Sequence, residues 1–258
     1  MTATTDNNGI ATAELVSLVA GDHPVTATVG THTTAAKNAT FIADETTAVI
    51  AATDFTVASG AVASGTATNA LSATVKDAGG NTVPNISVTF AVIGGATFAG
   101  GTQTSLAVTT DNNGVATTNL VSLVAGDHPV TATVGTNTTA AKNSTFIAGD
   151  ISGDNSTLFI DKNIIPADGS SSLVITFTAR DEHNNLVQGA NVRFDINGID
   201  SGVTLGQVNE TQGIYTATLI STKKGLGNIS VSNDNIVIDD MAALPFGVYR
   251  PTLEISVN

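Results

Sequence analysis

Any chemistry in this chain has to come from its histidines, carboxylates and hydroxyls, and their spacing decides how far each can go. The four histidines are His23, His32, His128 and His183. His23 and His128 occupy the same Gly-Asp-His-Pro sequence and are one feature seen twice, and no His has a second His close by to supply the several converging ligands of a metal site. All four are therefore expected as ordinary loop or strand-edge residues. Asp150-Ile-Ser-Gly-Asp154-Asn155 offers the oxygen ligands that Ca²⁺ takes and could stiffen a joint, yet it lacks the spacing and the bidentate glutamate of an EF-hand loop. Asp111-Asn112-Asn113-Gly114 has a similar composition, which hairpin-turn chemistry accounts for. Serine is common, but there is no Gly-x-Ser-x-Gly elbow, and nothing in the sequence brings a Ser, a His and a carboxylate together. With no Trp and only Tyr215 and Tyr249, the aromatic platform usual in sugar sites is missing. The expectation is a protein that is not an enzyme, with no catalytic residue, no metal ligand and no cofactor.

Charge and composition narrow the partners. A net charge of −13, from 22 acidic and 9 basic residues, argues against nucleic acid and anionic membrane, both of which select basic surfaces. The absence of Cys removes disulfides, thiolate metal sites and Cys nucleophiles without fixing a compartment. The stretch Met1–Ile10 has neither the basic nor the apolar region of an export signal. The most apolar run, Leu15–Ala20, is far short of the ~20 residues of a spanning helix, so no membrane insertion by this segment is expected.

The elements that must position these residues read as strands. Thr109–Ala148 repeats Thr4–Ala43 at an offset of 105, with 35 of 40 positions identical; the changes are Ile10/Val115, Ala13/Thr118, Glu14/Asn119, His32/Asn137 and Ala39/Ser144. That period is too long for a solenoid and suits a string of small domains. The Asn-Gly pair ending Asp6–Gly9 predicts a hairpin and a following strand with Ala11, Ala13, Leu15 and Ser17 on one face. A second strand follows Gly21-Asp22, with Val25, Ala27 and Val29 alternating with Thr26 and Thr28. An opening strand is expected around Val49–Val57. Leu71, Ala73 and Val75, then Ile86, Val88 and Phe90, alternate with polar residues about a turn at Asp77–Asn81. Leu173, Ile175, Phe177 and Ala179, then Ala190, Val192, Phe194 and Ile196, repeat that plan about Asp181–Asn185. Short strands at this spacing, with little aromatic residue and much Thr and Val, predict an all-β chain of tandem immunoglobulin-like β-sandwich domains in an elongated array, without the Cys and Trp marker of true immunoglobulin domains.

Thr74-Val75-Lys76-Asp77-Ala78-Gly79-Gly80-Asn81-Thr82-Val83-Pro84, then Val88-Thr89-Phe90, Thr110-Asp111-Asn112-Asn113-Gly114-Val115-Ala116, Leu120, Ser122, Ala125-Gly126 and Val130-Thr131-Ala132-Thr133-Val134 together resemble the bacterial Ig-like repeat of the invasin and intimin adhesins. The resemblance covers nearly all of residues 45–149, the last part of the pattern in 1–44, and a looser version in 150–232. The later copy departs at Asn184-Asn185, Gln188-Gly189 and Gln212-Gly213.

The expected domains are the C-terminal part of a bacterial Ig-like domain at 1–44, a complete one at 45–149, a diverged one at 150–235, and at 236–258 a linker with the first strand of a further domain. Residues 1–44 alone are expected to be poorly ordered or to pair with another chain. The resemblance implies an extracellular stalk or adhesion region of an outer-membrane adhesin, with barrel and export signal in other regions of the protein. It also implies neighbouring Ig-like domains of the same chain as partners, together with a host surface protein or extracellular matrix. Two alternatives stand beside it: direct ligand binding by the last domain, which with its tail carries six of the nine basic residues, and an accessory module of a secreted enzyme.

Overall fold

The computed structural model describes residues 1–162, 164–198, 201–234, 236–239 and 243–246. Apart from one 3-10 turn at Glu45–Thr47, capped by the Asp44 carboxylate, every regular element among them is a strand. No helix among the described residues is long and apolar enough to cross a membrane. The chain forms two compact units. One comprises Met1–Ser59, Asn69–Leu120 and His128–Ser144, the other Gly60–Thr68, Val121–Asp127 and Thr145–Asn258.

In the first unit, Asn69–Thr74 is flanked by antiparallel Phe55–Val57 and Val115–Val121, while Ser87–Val92 is flanked by Ser105–Thr109 and Gly126–Val134. The expected opening strand is thus shorter than Val49–Val57; Val49 itself makes only a single bridge to Lys76. Alternation sets the inward faces: Leu71, Ala73, Val88, Phe90, Ala116, Leu120, Val130, Ala132 and Val134 are buried. The two sheets meet at Phe55 and Phe90, whose ring centroids lie 6.3 Å apart. His128, expected at a loop or strand edge, is a buried core residue of Gly126–Val134.

The duplicated sequence adopts two different structures. Asp111 and Asp6 close the same turn: each carboxylate accepts two downstream amides at 2.8 and 2.9 Å, and Gly114 and Gly9 have φ of +74° and +78°. Val115–Val121 is then a strand, whereas the strand expected at Ala11–Ser17 does not form. The reason is the partner. Val115–Val121 pairs with Asn69–Thr74, and among the described residues no strand pairs with residues 11–17, so Leu15 is 50% exposed where Leu120 is 0%. The leading segment keeps its local pairings, Gly21–Val25 with Lys37–Phe41 and Thr28–Val29 with His32–Thr33. The Asn-Gly turn at 113–114 also differs from a hairpin. The strands on its two sides, Ser105–Thr109 and Val115–Val121, belong to different sheets, so it carries the chain across the sandwich.

In the second unit the last sandwich has Thr157–Ile160, Ser172–Thr178, Ile214–Ser221 and Val203–Leu205 in order in one sheet, with Asn209–Thr211 also on Ile214–Ser221. Val192–Asn197 and Gly225–Asn233 form the other. Leu173, Ile175, Phe177, Val192, Phe194, Tyr215, Leu219, Ile229 and Val231 fill the space between them. The Tyr215 hydroxyl donates to Val187 O at 3.1 Å and accepts from Ala190 N at 2.9 Å, which satisfies its buried oxygen. Residues expected to begin a linker at 236 instead carry two strands, Ile236–Asp239 and Ala243–Phe246, both paired with Gly225–Asn233. The strand expected at Thr252–Asn258 lies outside the described residues.

Candidate functional site: a turn that holds the preceding loop

Each unit contains the same small constellation, built from a turn and from a loop earlier in the chain. In Asp77–Asn81 the turn is self-made. Asp77 N donates to Asn81 O at 2.9 Å, Gly80 N to Asp77 O at 3.0 Å, and Asn81 N to Asp77 Oδ1 at 2.8 Å. Asn81 Nδ2 then donates to Asp77 Oδ2 at 2.9 Å, which fixes the plane of the amide. So oriented, Asn81 reaches a backbone segment far away in sequence. Its Nδ2 donates to Leu18 O at 2.8 Å, and its Oδ1 accepts from Ala20 N at 2.8 Å. Asp77 adds a third link by accepting from Asp44 N at 3.0 Å.

The second unit repeats this bond for bond. Asn185 Nδ2 donates to Leu123 O at 2.9 Å, Asn185 Oδ1 accepts from Ala125 N at 2.9 Å, and Asp181 Oδ2 accepts from Gly149 N at 2.9 Å. Asn185 is itself oriented by Asp181, with Nδ2 to Oδ2 at 2.9 Å and its own amide to Oδ1 at 2.8 Å. Leu123, Ala125 and Gly149 are Leu18, Ala20 and Asp44 shifted by the offset of the repeat.

The loop is pre-shaped by a serine. Ser17 Oγ donates to Val19 O at 2.9 Å and accepts from Val19 N at 3.0 Å; Ser122 does the same to Val124 at 2.8 and 2.9 Å. In the first copy His23 Nε2 lies 2.9 Å from Val19 O, and its ring stacks edge-on against Phe41 at 5.3 Å. Every loop group that the Asn grips is main chain, and the Leu and Val side chains of the loop remain exposed.

Electrostatics favour the ionised aspartates. The Asn81 side chain, and then the Asp44 amide, hold the Asp77 carboxyl below its ordinary range. At Asp181 burial pushes upward, but the Asn185 side chain and the amides of Gly149, Asn185 and His183 outweigh it, and the net direction is also down. The two turns share Asp and Asn and differ at the three positions between them, of which the third residue lies against the gripped loop in the first turn. A Cβ on Gly79 would stand 2.6 Å from Leu18 O, whereas His183 occupies the corresponding place in the second turn.

Other expected sites resolve differently. Asn155, in the stretch weighed as a Ca²⁺ loop, donates its Nδ2 to Asp181 O at 3.0 Å and so serves the clamp turn. Among the described residues no three His, Cys, Asp or Glu side chains converge as a metal site would need. The alternation about Asp77–Asn81 and Asp181–Asn185 predicts the two reversals but not the outward reach of the two asparagines. A usable signal was present: Asn81 lies 63 residues after Leu18 and Asn185 lies 62 after Leu123.

The fold is that of serial Ig-like sandwiches, and family comparison agrees. Residues 52–147 match the bacterial Ig-like domain (group 1), and residues 152–247 match invasin domain 3. The chain belongs to the bacterial Ig-like domains of the invasin and intimin group. The inverse autotransporter adhesin YeeJ of Escherichia coli (strain K12) is 34% identical over 177 residues, which is 67% of this chain and 7% of that protein. This chain therefore spans a small fraction of that relative's length. The solved structure of Yersinia pseudotuberculosis InvD is similar at a TM-score of 0.64 and 25% identity, covering 80% of this chain and 62% of that one. The Escherichia coli adhesin FdeC shares the fold at a TM-score of 0.59 and 21% identity, covering 88% and 74%.

Proposed function

We propose that this chain is a stretch of the stalk of a bacterial surface adhesin, in which each sandwich is fastened to the end of the preceding one and the array carries a binding region away from the cell. The observation that carries this is the clamp itself, found twice with matching bonds. Two hydrogen bonds from one oriented Asn and a third from its Asp restrict how the following sandwich can pivot on the loop, and each is worth about 1 kcal/mol net. A spacer needs such repeated, stiff fastening, and a catalytic domain does not. The kinship with adhesins supports a place on the outer face of the bacterium, with a host surface protein or extracellular matrix as the ligand of the whole protein. Small-angle scattering on the full chain tests the reading. An extended profile that becomes more flexible in the double variant Asn81→Leu, Asn185→Leu is expected; a compact profile, or one unchanged by the variant, contradicts it.

A further inference from the structure

The gripped loop has a third representative. Ser221-Thr222-Lys223-Lys224-Gly225 follows the strand Ile214–Ser221 as Ser122–Gly126 follows Val115–Val121. Ser221 Oγ donates to Lys223 O at 2.6 Å and accepts from Lys223 N at 3.2 Å, the same serine turn that shapes the loops at Ser17 and Ser122. The backbone beyond the loop agrees as well, for Gly225 pairs with Phe246 as Gly21 pairs with Phe41. Thr222, Lys223 and Lys224 are exposed, and among the described residues no Asp-x-x-x-Asn turn is bonded to Thr222 O or Lys224 N.

We infer that residues 221–225 form a docking surface for the Asp-x-x-x-Asn turn of a further Ig-like sandwich following in the same chain, whose Asn donates to Thr222 O and accepts from Lys224 N. This rests on the stalk reading above. The recognised groups are main chain, so the exchange of Leu-Val-Ala for Thr-Lys-Lys leaves them in place. The exchange also changes the charge. Both turns in this chain present an aspartate beside the Asn, and Lys223 and Lys224 add two positive charges to this loop, in a chain of net charge −13. Lys223 Nζ is meanwhile 2.6 Å from Ser201 Oγ, within its own sandwich. This third loop therefore accepts the same kind of partner as the other two, with added attraction for an acidic turn.

The test extends the full chain at Asn258 with a second copy of residues 164–246, because Thr252–Asn258 echoes Thr157–Asn163. Amide exchange is followed by NMR. The Lys224 amide is expected to exchange about tenfold more slowly in the extended chain than in the 258-residue chain, and Asn185→Leu in the added copy alone should abolish the difference. The Ala125 amide is the reference, slow in both chains and released by Asn185→Leu in the resident copy. Unchanged exchange at Lys224 with Ala125 protected overturns the inference and leaves the stalk reading standing. Ala125 exchange indifferent to Asn185→Leu overturns both. Slowing seen only after Lys223→Val with Lys224→Ala shows that the lysines bar the turn, and this too overturns the inference. Protection of Ile175 in the added copy reports that it has folded; if it has not, an added copy of residues 55–149 replaces it.

Discussion

The side chain of Asn81 donates to the carbonyl of Leu18, 63 residues earlier, at 2.8 Å. Asn185 does the same to Leu123 at 2.9 Å, and in both cases the amide returned from the loop completes a two-point grip. Removing one Asn deletes both bonds of that grip while leaving the sandwich core untouched. In Asn185→Leu the Ala125 amide should exchange about 10 to 30 times faster, as expected for the loss of about 2 kcal/mol, with Ile175 unchanged. Hydrogen exchange by NMR reads both amides in one experiment.

Acid should open the clamp before it opens the cores. The Asp77 and Asp181 carboxyls lie below their ordinary range in the folded chain. A carboxylate with a depressed folded pKa contributes its stabilisation fully above the unfolded value of about 4, and loses it as pH falls through the lower folded value. Protection of Ala20 and Ala125 should thus hold from neutral pH to about 4 and decline below it. A pH series of exchange rates checks this.

One substitution placed in each copy of the repeat separates sequence from surroundings. Leu120→Ala removes a fully buried side chain and should destabilise the middle sandwich by about 2–5 kcal/mol. Leu15→Ala, at the half-exposed equivalent, should change nothing measurable. Urea denaturation of the two variants gives the comparison.

Glycines in the turns should divide by cause. Gly80→Asn should be tolerated within about 1 kcal/mol, since Asn184 holds the same place with a φ of +65°. Gly114→Ala should cost more, roughly 2 kcal/mol or above, because a Cβ there meets Val83 N at 2.9 Å on a backbone already at +74°. Thermal unfolding ranks them.

Tyr215→Phe keeps the ring and removes the hydroxyl that joins Val187 O to Ala190 N. The last sandwich should lose about 1–2 kcal/mol with an unchanged denaturant slope, as read from urea unfolding.

Alternation at Leu71, Ala73 and Val75, and at Leu173 to Ala179, made the sheets legible, because a half-buried strand must alternate. The departures of the last copy are explained by backbone rather than by identity. Asn184 stands in for Gly80, Gly189 for Asn85 and Gly213 for Gly114, and each keeps a positive φ. The alternation at residues 11–17 predicts a strand that does not form, because a strand depends on its partner, which local pattern does not contain. Asn81 and Asn185 escaped notice because an Asn in a turn normally satisfies its own backbone; that it also reaches a distant loop follows only from tertiary placement.

A fastening that touches only carbonyls and amides is indifferent to the side chains it meets. Mutation can therefore rewrite the exposed Leu-Val pair of the loop without loosening the hold. Recombination between stretches as alike as 4–43 and 109–148 can likewise add or drop a whole period and find the neighbours already fitted. The length of the array is thus free to evolve while its attachment rule stays fixed.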